Sequence, residues 1–157
     1  MFTNFENMRS IPDSKVYFFS ENVKVNLKDR KKLKVFLEKI FRLEMKKLNS
    51  LICIFCDDKK LLQINKKFFG HDDYTDVISF DLSDSELIQG EIYISYERIR
   101  DNARQLKVTI KEELIRVIIH GVLHLCNYDD KSVKNKNIMR DKEDNYINLL
   151  NKFCLFT

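Results

Sequence analysis

Glycine and proline are nearly missing from this chain of 157 residues, which has three of the first and one of the second. Long structureless linkers and arrays of tight hairpins depend on those residues, so regular elements should run almost end to end. No apolar run approaches the ~18 residues that span a bilayer, and no membrane association is expected. The opening stretch MFTNFENMRSIPD lacks the continuous apolar segment of a secretory signal. The expected compartment is the cytoplasm. Internal repeats, low-complexity segments and any second domain are absent as well. Histidine is scarce, with three in the whole chain.

What is present has an ordinary globular balance, 44% hydrophobic and 33% charged, enough to bury one real core. Residues 1–13 read as a lead-in and residues 14–157 as a single domain. The net charge of +4 suits an anionic partner without requiring one. Cys53, Cys56, Cys126 and Cys154 are expected to be free thiols in a reducing compartment. Cys53 and Cys56 form a CxxC, but the surrounding LICIFCDD has the composition of a buried strand. Residues three apart on a strand point to opposite faces, whereas a zinc knuckle needs a turn between its thiols. Both are expected in the core.

Hydrophobic periodicity predicts strands at 14–20, 50–56, 76–82 and 90–95, and helices at 28–47, 57–69, 96–106 and 133–152. A further helix opens after Thr109, where TIKE has the form of a capping box, and ends near Cys126–Asn127. In the first helix Leu33, Phe36, Leu37, Ile40, Phe41 and Met45 fall near one face; Lys31, Lys34, Lys39, Arg42 and Lys46 lie opposite. In the last helix Ile138, Met139, Tyr146, Ile147 and Leu150 should point inward. The order is βαβα, then ββ, then ααα. It predicts an α+β domain with a mixed four-stranded sheet and helices packed on it.

Two of the three histidines stand four apart in HGVLHLCNYDD, residues 120–130. Four helical residues advance ~400°, so the second side chain lies ~40° round and ~6 Å along from the first. His120 and His124 can therefore reach one metal ion. Gly121 allows close backbone approach beside His120, and Asn127 tolerates the left-handed conformation that ends a helix. The chain can then turn and bring Asp129 or Asp130 back to the imidazoles. Two imidazoles and a carboxylate leave a fourth position open, the pattern of a catalytic site. Zincin proteases carry Glu directly after the first histidine as general base. That position is Gly121 here, so peptide hydrolysis by that route loses its base.

HGVLHLCNYDD resembles the HGxLHLxGYDH signature of the YbeY family, metal-dependent endoribonucleases of ribosomal RNA maturation and ribosome quality control. TDVISFD at 75–81 is similar to the family's TDVLSFP, GEIYIS at 90–95 to its GDIxI strand, and INKKFFGHDDYTDV to the segment before TDV. The resemblance covers roughly residues 14–150. It implies metal ligation by His120 and His124, with Asp130 where the family has a third histidine and Asp129 at the acidic position before it. The expected cofactor is one Zn²⁺. A carboxylate in place of an imidazole makes bound water less acidic and lets Mn²⁺ or another hard ion compete. The resemblance also places Phe69 where the family commonly carries an arginine proposed to hold phosphate, and Asn127 where it has glycine. Lys66 and Lys67 precede Phe69, and lysine lacks the bidentate fork of arginine.

The resemblance implies cleavage of single-stranded RNA near the 3′ end of small-subunit ribosomal RNA, with the small subunit as partner. The alternative is a ribosome-assembly factor that binds RNA or ribosomal protein without cutting; a metal-dependent hydrolase of another ester is a third reading. The nucleophile is water or the RNA's own 2′-hydroxyl, which would leave a cyclic phosphate. Thr75, Asp76 and Ser79 are either strand-start hydrogen bonders or groups at the rim of the metal cleft. His71 is a solvated loop residue or a substrate contact, and Lys67 a candidate phosphate contact. Glu91 is expected to be exposed and Cys126 to pack. Lys31, Lys34, Arg42, Arg98, Arg104 and Arg116 are candidates to guide a phosphate backbone.

Overall fold

The computed structural model describes residues 14–156, with side chains through residue 153. The expected lead-in 1–13 and the Cys154 thiol lie outside the described residues. The elements are β1 (Val16–Ser20), α1 (Arg30–Leu43), β2 (Lys47–Cys56), α2 (Asp58–Phe69), β3 (Val77–Asp81), β4 (Leu87–Ser95), α3 (Tyr96–Leu106), α4 (Ile110–Leu125) and α5 (Val133–Phe156). The predicted order and fold class hold.

The four strands form one sheet in the order β1-β2-β4-β3. β1, β2 and β4 run parallel, and β3 pairs antiparallel with β4, Val77 opposite Ile94 and Asp81 opposite Gly90. Helices cover both faces, which explains why β2 and β4 read as nearly unbroken apolar runs rather than as alternation. On one face Leu51, Cys53 and Phe55 of β2 and Ile88, Ile92 and Ile94 of β4 meet α1, α4 and α5. On the other, Ile54, Cys56, Ile78 and Tyr93 meet Leu61 and Ile64 of α2. Cys53 and Cys56 thus point into different cores, as strand periodicity required. Burial pushes both thiols, and that of Cys126, up to about 12, leaving them protonated and inert.

Four expectations need correction. Met45 is 89% exposed rather than inward: α1 ends at Leu43, and Met45 adopts a left-handed φ of 59°, so helical periodicity no longer governs it. Ile138 is 39% exposed because the inward stripe of α5 runs through Met139, Tyr146 and Leu150. β2 and β4 each start three residues before the expected position, at Lys47 and Leu87, with an irregularity in their pairing between Leu48 and Ser50 that the alternation pattern hides. Glu91 is buried and accepts a hydrogen bond from the Tyr93 hydroxyl at 3.0 Å on the α2 face, where β4 has strands on both sides.

Candidate metal centre

α4 is the element that presents the imidazoles. Its start is fixed by both bonds of the capping box: Thr109 Oγ1 accepts from the Glu112 backbone at 3.1 Å, and Glu112 Oε2 accepts from the Thr109 backbone at 2.7 Å. Gly121 lets the helix lie flat against the sheet. A Cβ there would sit 2.9 Å from Ile92 Cγ2 and 3.1 Å from Ser79 Oγ. The Ser79 hydroxyl instead donates to the Gly121 carbonyl at 3.1 Å, tying β3 to α4. The helix closes with Tyr128 N–H on the Leu123 carbonyl at 3.1 Å and Asn127 in the left-handed region at φ 73°. That reversal carries the chain back along α4.

The outcome is a triangle of ligand atoms. The Nε2 atoms of His120 and His124 face each other at 2.9 Å, and Asp130 Oδ2 lies 3.5 Å from the first and 3.7 Å from the second. Among the described residues these three form the one group of histidine, cysteine or carboxylate side chains arranged to hold an ion. Tetrahedral ligands at ~2.0–2.1 Å from a cation stand ~3.3–3.4 Å from one another, and the three distances straddle that edge. Asp129 is not part of the triangle. It accepts from the Lys131 backbone and from Asn135 Nδ2, ordering the turn into α5.

One supporting residue escaped the sequence reading. Glu143 of α5 is buried, and its Oε1 lies 3.0 Å from His120 Nδ1. A carboxylate only accepts, so Nδ1 carries the proton and Nε2 turns its lone pair toward His124 and Asp130. Burial pulls the His120 pKa down, but the Glu143 hydrogen bond and charge, with Asp130 and Asp76, outweigh it and hold the group above its ordinary value. Burial and the neighbouring His120 depress His124, against smaller opposing effects from Asp130 and the Tyr128 backbone. Two lone pairs converging at 2.9 Å repel unless a proton or cation lies between them, and the donor set suits a divalent ion. The available signal for Glu143 was its place among Met139, Tyr146 and Leu150, at helical spacing on the apolar stripe.

The cleft around the triangle has two arms that share Asp76, Val77, His120 and Asp130. One, of about 480 Å³, runs along α5. The other, of about 560 Å³, runs beneath the end of α2 and holds Phe69, His71, Thr75 and Ser79. Asp76 accepts from Asn102 Nδ2 at 3.1 Å, and burial raises its pKa, with the His120 charge in partial opposition. The Thr75 hydroxyl donates to the Val77 carbonyl. Lys67 lies elsewhere, in a depression with Gln63, Phe68 and Tyr93, and Lys66 pairs with Asp72 at 2.8 Å. Two of the candidate phosphate guides are already committed. Arg98 grips Asp58, and Arg116 bridges Glu143 at 3.4 Å and Asp144 at 2.7 Å.

The family profile described as Endoribonuclease YbeY matches residues 17–151. An endoribonuclease YbeY of Cytophaga hutchinsonii is 43% identical over 135 residues, 85% of this chain and 94% of that one. The Flavobacterium psychrophilum endoribonuclease YbeY is 56% identical over 96 residues, 61% of this chain and 69% of its own length. Among solved structures, the solution structure of TM1509 from Thermotoga maritima superposes with a TM-score of 0.60 at 31% identity, covering 86% of this chain and 88% of that one.

Proposed function

Since the chain belongs to the endoribonuclease YbeY family, we propose that it is a metal-dependent endoribonuclease that cleaves single-stranded RNA, with the 3′ end of small-subunit ribosomal RNA as its target. The observation that carries this reading is the triangle of His120, His124 and Asp130 at the junction of two arms of one cleft. His120, His124 and Asp130 hold the ion, Zn²⁺ in the first instance, with Mn²⁺ competitive because one ligand is a hard carboxylate. When bound, a divalent cation supplies Lewis-acid chemistry, withdrawing charge from a phosphoryl oxygen and lowering the pKa of water.

The chain's own residues do the remaining work. Glu143 fixes the His120 tautomer. Ser79 ties β3 to α4 at the floor of the cleft. Asp76, on the wall shared by both arms and held by Asn102, is our candidate to take up a proton during strand cleavage. Gly121, where a zincin has glutamate, leaves the helix without the base of peptide hydrolysis.

The test is metal quantification beside an RNA cleavage assay on wild type and His124→Ala, with circular dichroism to confirm folding. About one divalent ion per chain and cleavage lost in the variant are expected. A folded His124→Ala protein that still cuts would remove the metal from the mechanism. A metal-loaded wild type that binds RNA without cutting it would establish the assembly-factor reading instead.

A further inference from the structure

The two arms differ in where free cations stand. The arm along α5 is walled by the carboxylates of Glu113 and Glu143, by Arg116, which is already paired with Glu143 and Asp144, and by Lys136 and Arg140, both exposed. The arm beneath α2 has no lysine or arginine in its wall. It carries Asp76, Asp81 and Asp130, and the ring of Phe69. Both arms carry carboxylates, so the exposed Lys136 and Arg140, which line only the α5 side, are what favours a phosphodiester backbone there and leaves an uncharged group for the other arm.

Phe69 is built to meet such a group. It is the last residue of α2, and the left-handed Gly70 closes the helix behind it. Its ring stacks on Phe80 at 5.7 Å with 24° between the planes. Phe80 is held edge-on by Phe68 at 5.3 Å and by Tyr93 at 5.8 Å. Despite this support on one side, Phe69 stays 49% exposed, and it is the one aromatic hydrocarbon ring among the described residues in the wall of the cleft. Aromatic platforms combined with basic side chains are the general device by which proteins hold single strands, because every nucleobase offers a flat π face.

We propose that Phe69 is a stacking platform for a nucleobase of the single-stranded substrate, seated in the α2 arm while the adjoining backbone runs toward Lys136 and Arg140. This rests on the endoribonuclease reading and adds a base-binding subsite to it. It also gives the phenylalanine at the position of the family's arginine a different task, holding a base where the arginine was proposed to hold phosphate.

The experiment is equilibrium binding of a short single-stranded RNA, with divalent ions chelated so that the strand stays intact, against an abasic strand of equal length and charge. Wild type, Phe69→Ala, Phe69→Leu and Phe69→Trp are compared. Wild type is expected to prefer the intact strand, and Phe69→Ala to lose about tenfold for it with little change for the abasic strand. Phe69→Leu keeps an apolar contact on Phe80 but has no π face, and it should lose as much. Phe69→Trp should retain the preference. Indistinguishable affinity of wild type for the two strands, equal losses on both, or full rescue by leucine each overturn the proposal. The binding measurement needs no cleavage. A wild type that stacks a base but cuts nothing defeats the nuclease reading alone, whereas one that cuts RNA and ignores the base defeats the platform alone.

Discussion

His120 needs a partner on its far nitrogen, because an imidazole free to change tautomer presents a lone pair to the ion only part of the time. Glu143 supplies that partner from a different helix, and Arg116 in turn neutralises its second oxygen at 3.4 Å. Glu143→Gln keeps an acceptor of the same shape but removes the charge. Ion affinity, measured by competition with a chromophoric chelator, should fall by about 10–100-fold. The fold should survive, since glutamine still fills the site. An unchanged affinity would reduce Glu143 to a packing residue. Asp130 lies on a turn, and its oxygen is 3.5 Å and 3.7 Å from the two ring nitrogens, so small rotations can bring it to different ions.

At the scale of elements, α4 carries the chemistry and β3 and β4 set its position. Gly121 is one of the points of close approach between the helix and the sheet. Alanine there gains helix propensity worth about 1 kcal/mol, but its Cβ would press on Ile92 at 2.9 Å and on Ser79 Oγ at 3.1 Å. Ile92 is fully buried and has no room to turn away. Overpacking of this kind costs about 1–3 kcal/mol, so Gly121→Ala should be net destabilising by about 1 kcal/mol in denaturant unfolding. It should also weaken ion binding, because pushing α4 off β3 breaks the Ser79–Gly121 bond beside His120. Neutral or improved stability would mean that the close approach is not what this glycine provides.

Across the whole molecule, Glu44 joins three distant parts of the chain. It stands at the end of α1 and accepts from the hydroxyl of Tyr128 at 2.7 Å, from Lys142 at 2.9 Å and from the hydroxyl of Tyr146. Tyr128 belongs to the turn between His124 and Asp130, so this cluster also anchors the segment that carries Asp130 to the imidazoles. Burial alone would raise the Glu44 pKa, but the hydrogen bonds from Tyr146, Lys142 and Tyr128 outweigh it and hold the carboxyl below its ordinary value. A carboxyl depressed in the folded state binds its proton more readily when unfolded. Its stabilising contribution is therefore present above the ordinary carboxylate pKa and is lost as pH falls through the folded value. Glu44→Gln should cost about 1–3 kcal/mol at neutral pH, and the gap from wild type should narrow as denaturant titrations move to acid pH. A gap that stayed constant with pH would show that shape, not charge, matters at this position.

The element order, the capping box of α4, the opposite facing of Cys53 and Cys56, and the His120–His124 pair were all legible in the chain. Each depends on residues within a turn or a strand of one another, where spacing dictates direction. The reversal at Asn127 was legible for the same reason. The end of α1 was not, because Met45 is apolar and at helical spacing, and nothing local announces its left-handed φ of 59°. Nor was the role of Glu143, 23 residues beyond His120. A buried acid on an apolar stripe signals only that a partner exists, and docking of α5 on α4 chooses which. Between Asp129 and Asp130, adjacent in sequence, helix geometry alone left the choice open; the family resemblance pointed to Asp130, and the folded turn sets Asp130 beside the imidazoles. One carboxylate is used by Asn135 and the Lys131 backbone, and the other is left facing the imidazoles. Local spacing determined which groups could act together; packing of elements far apart in the chain decided which of them do.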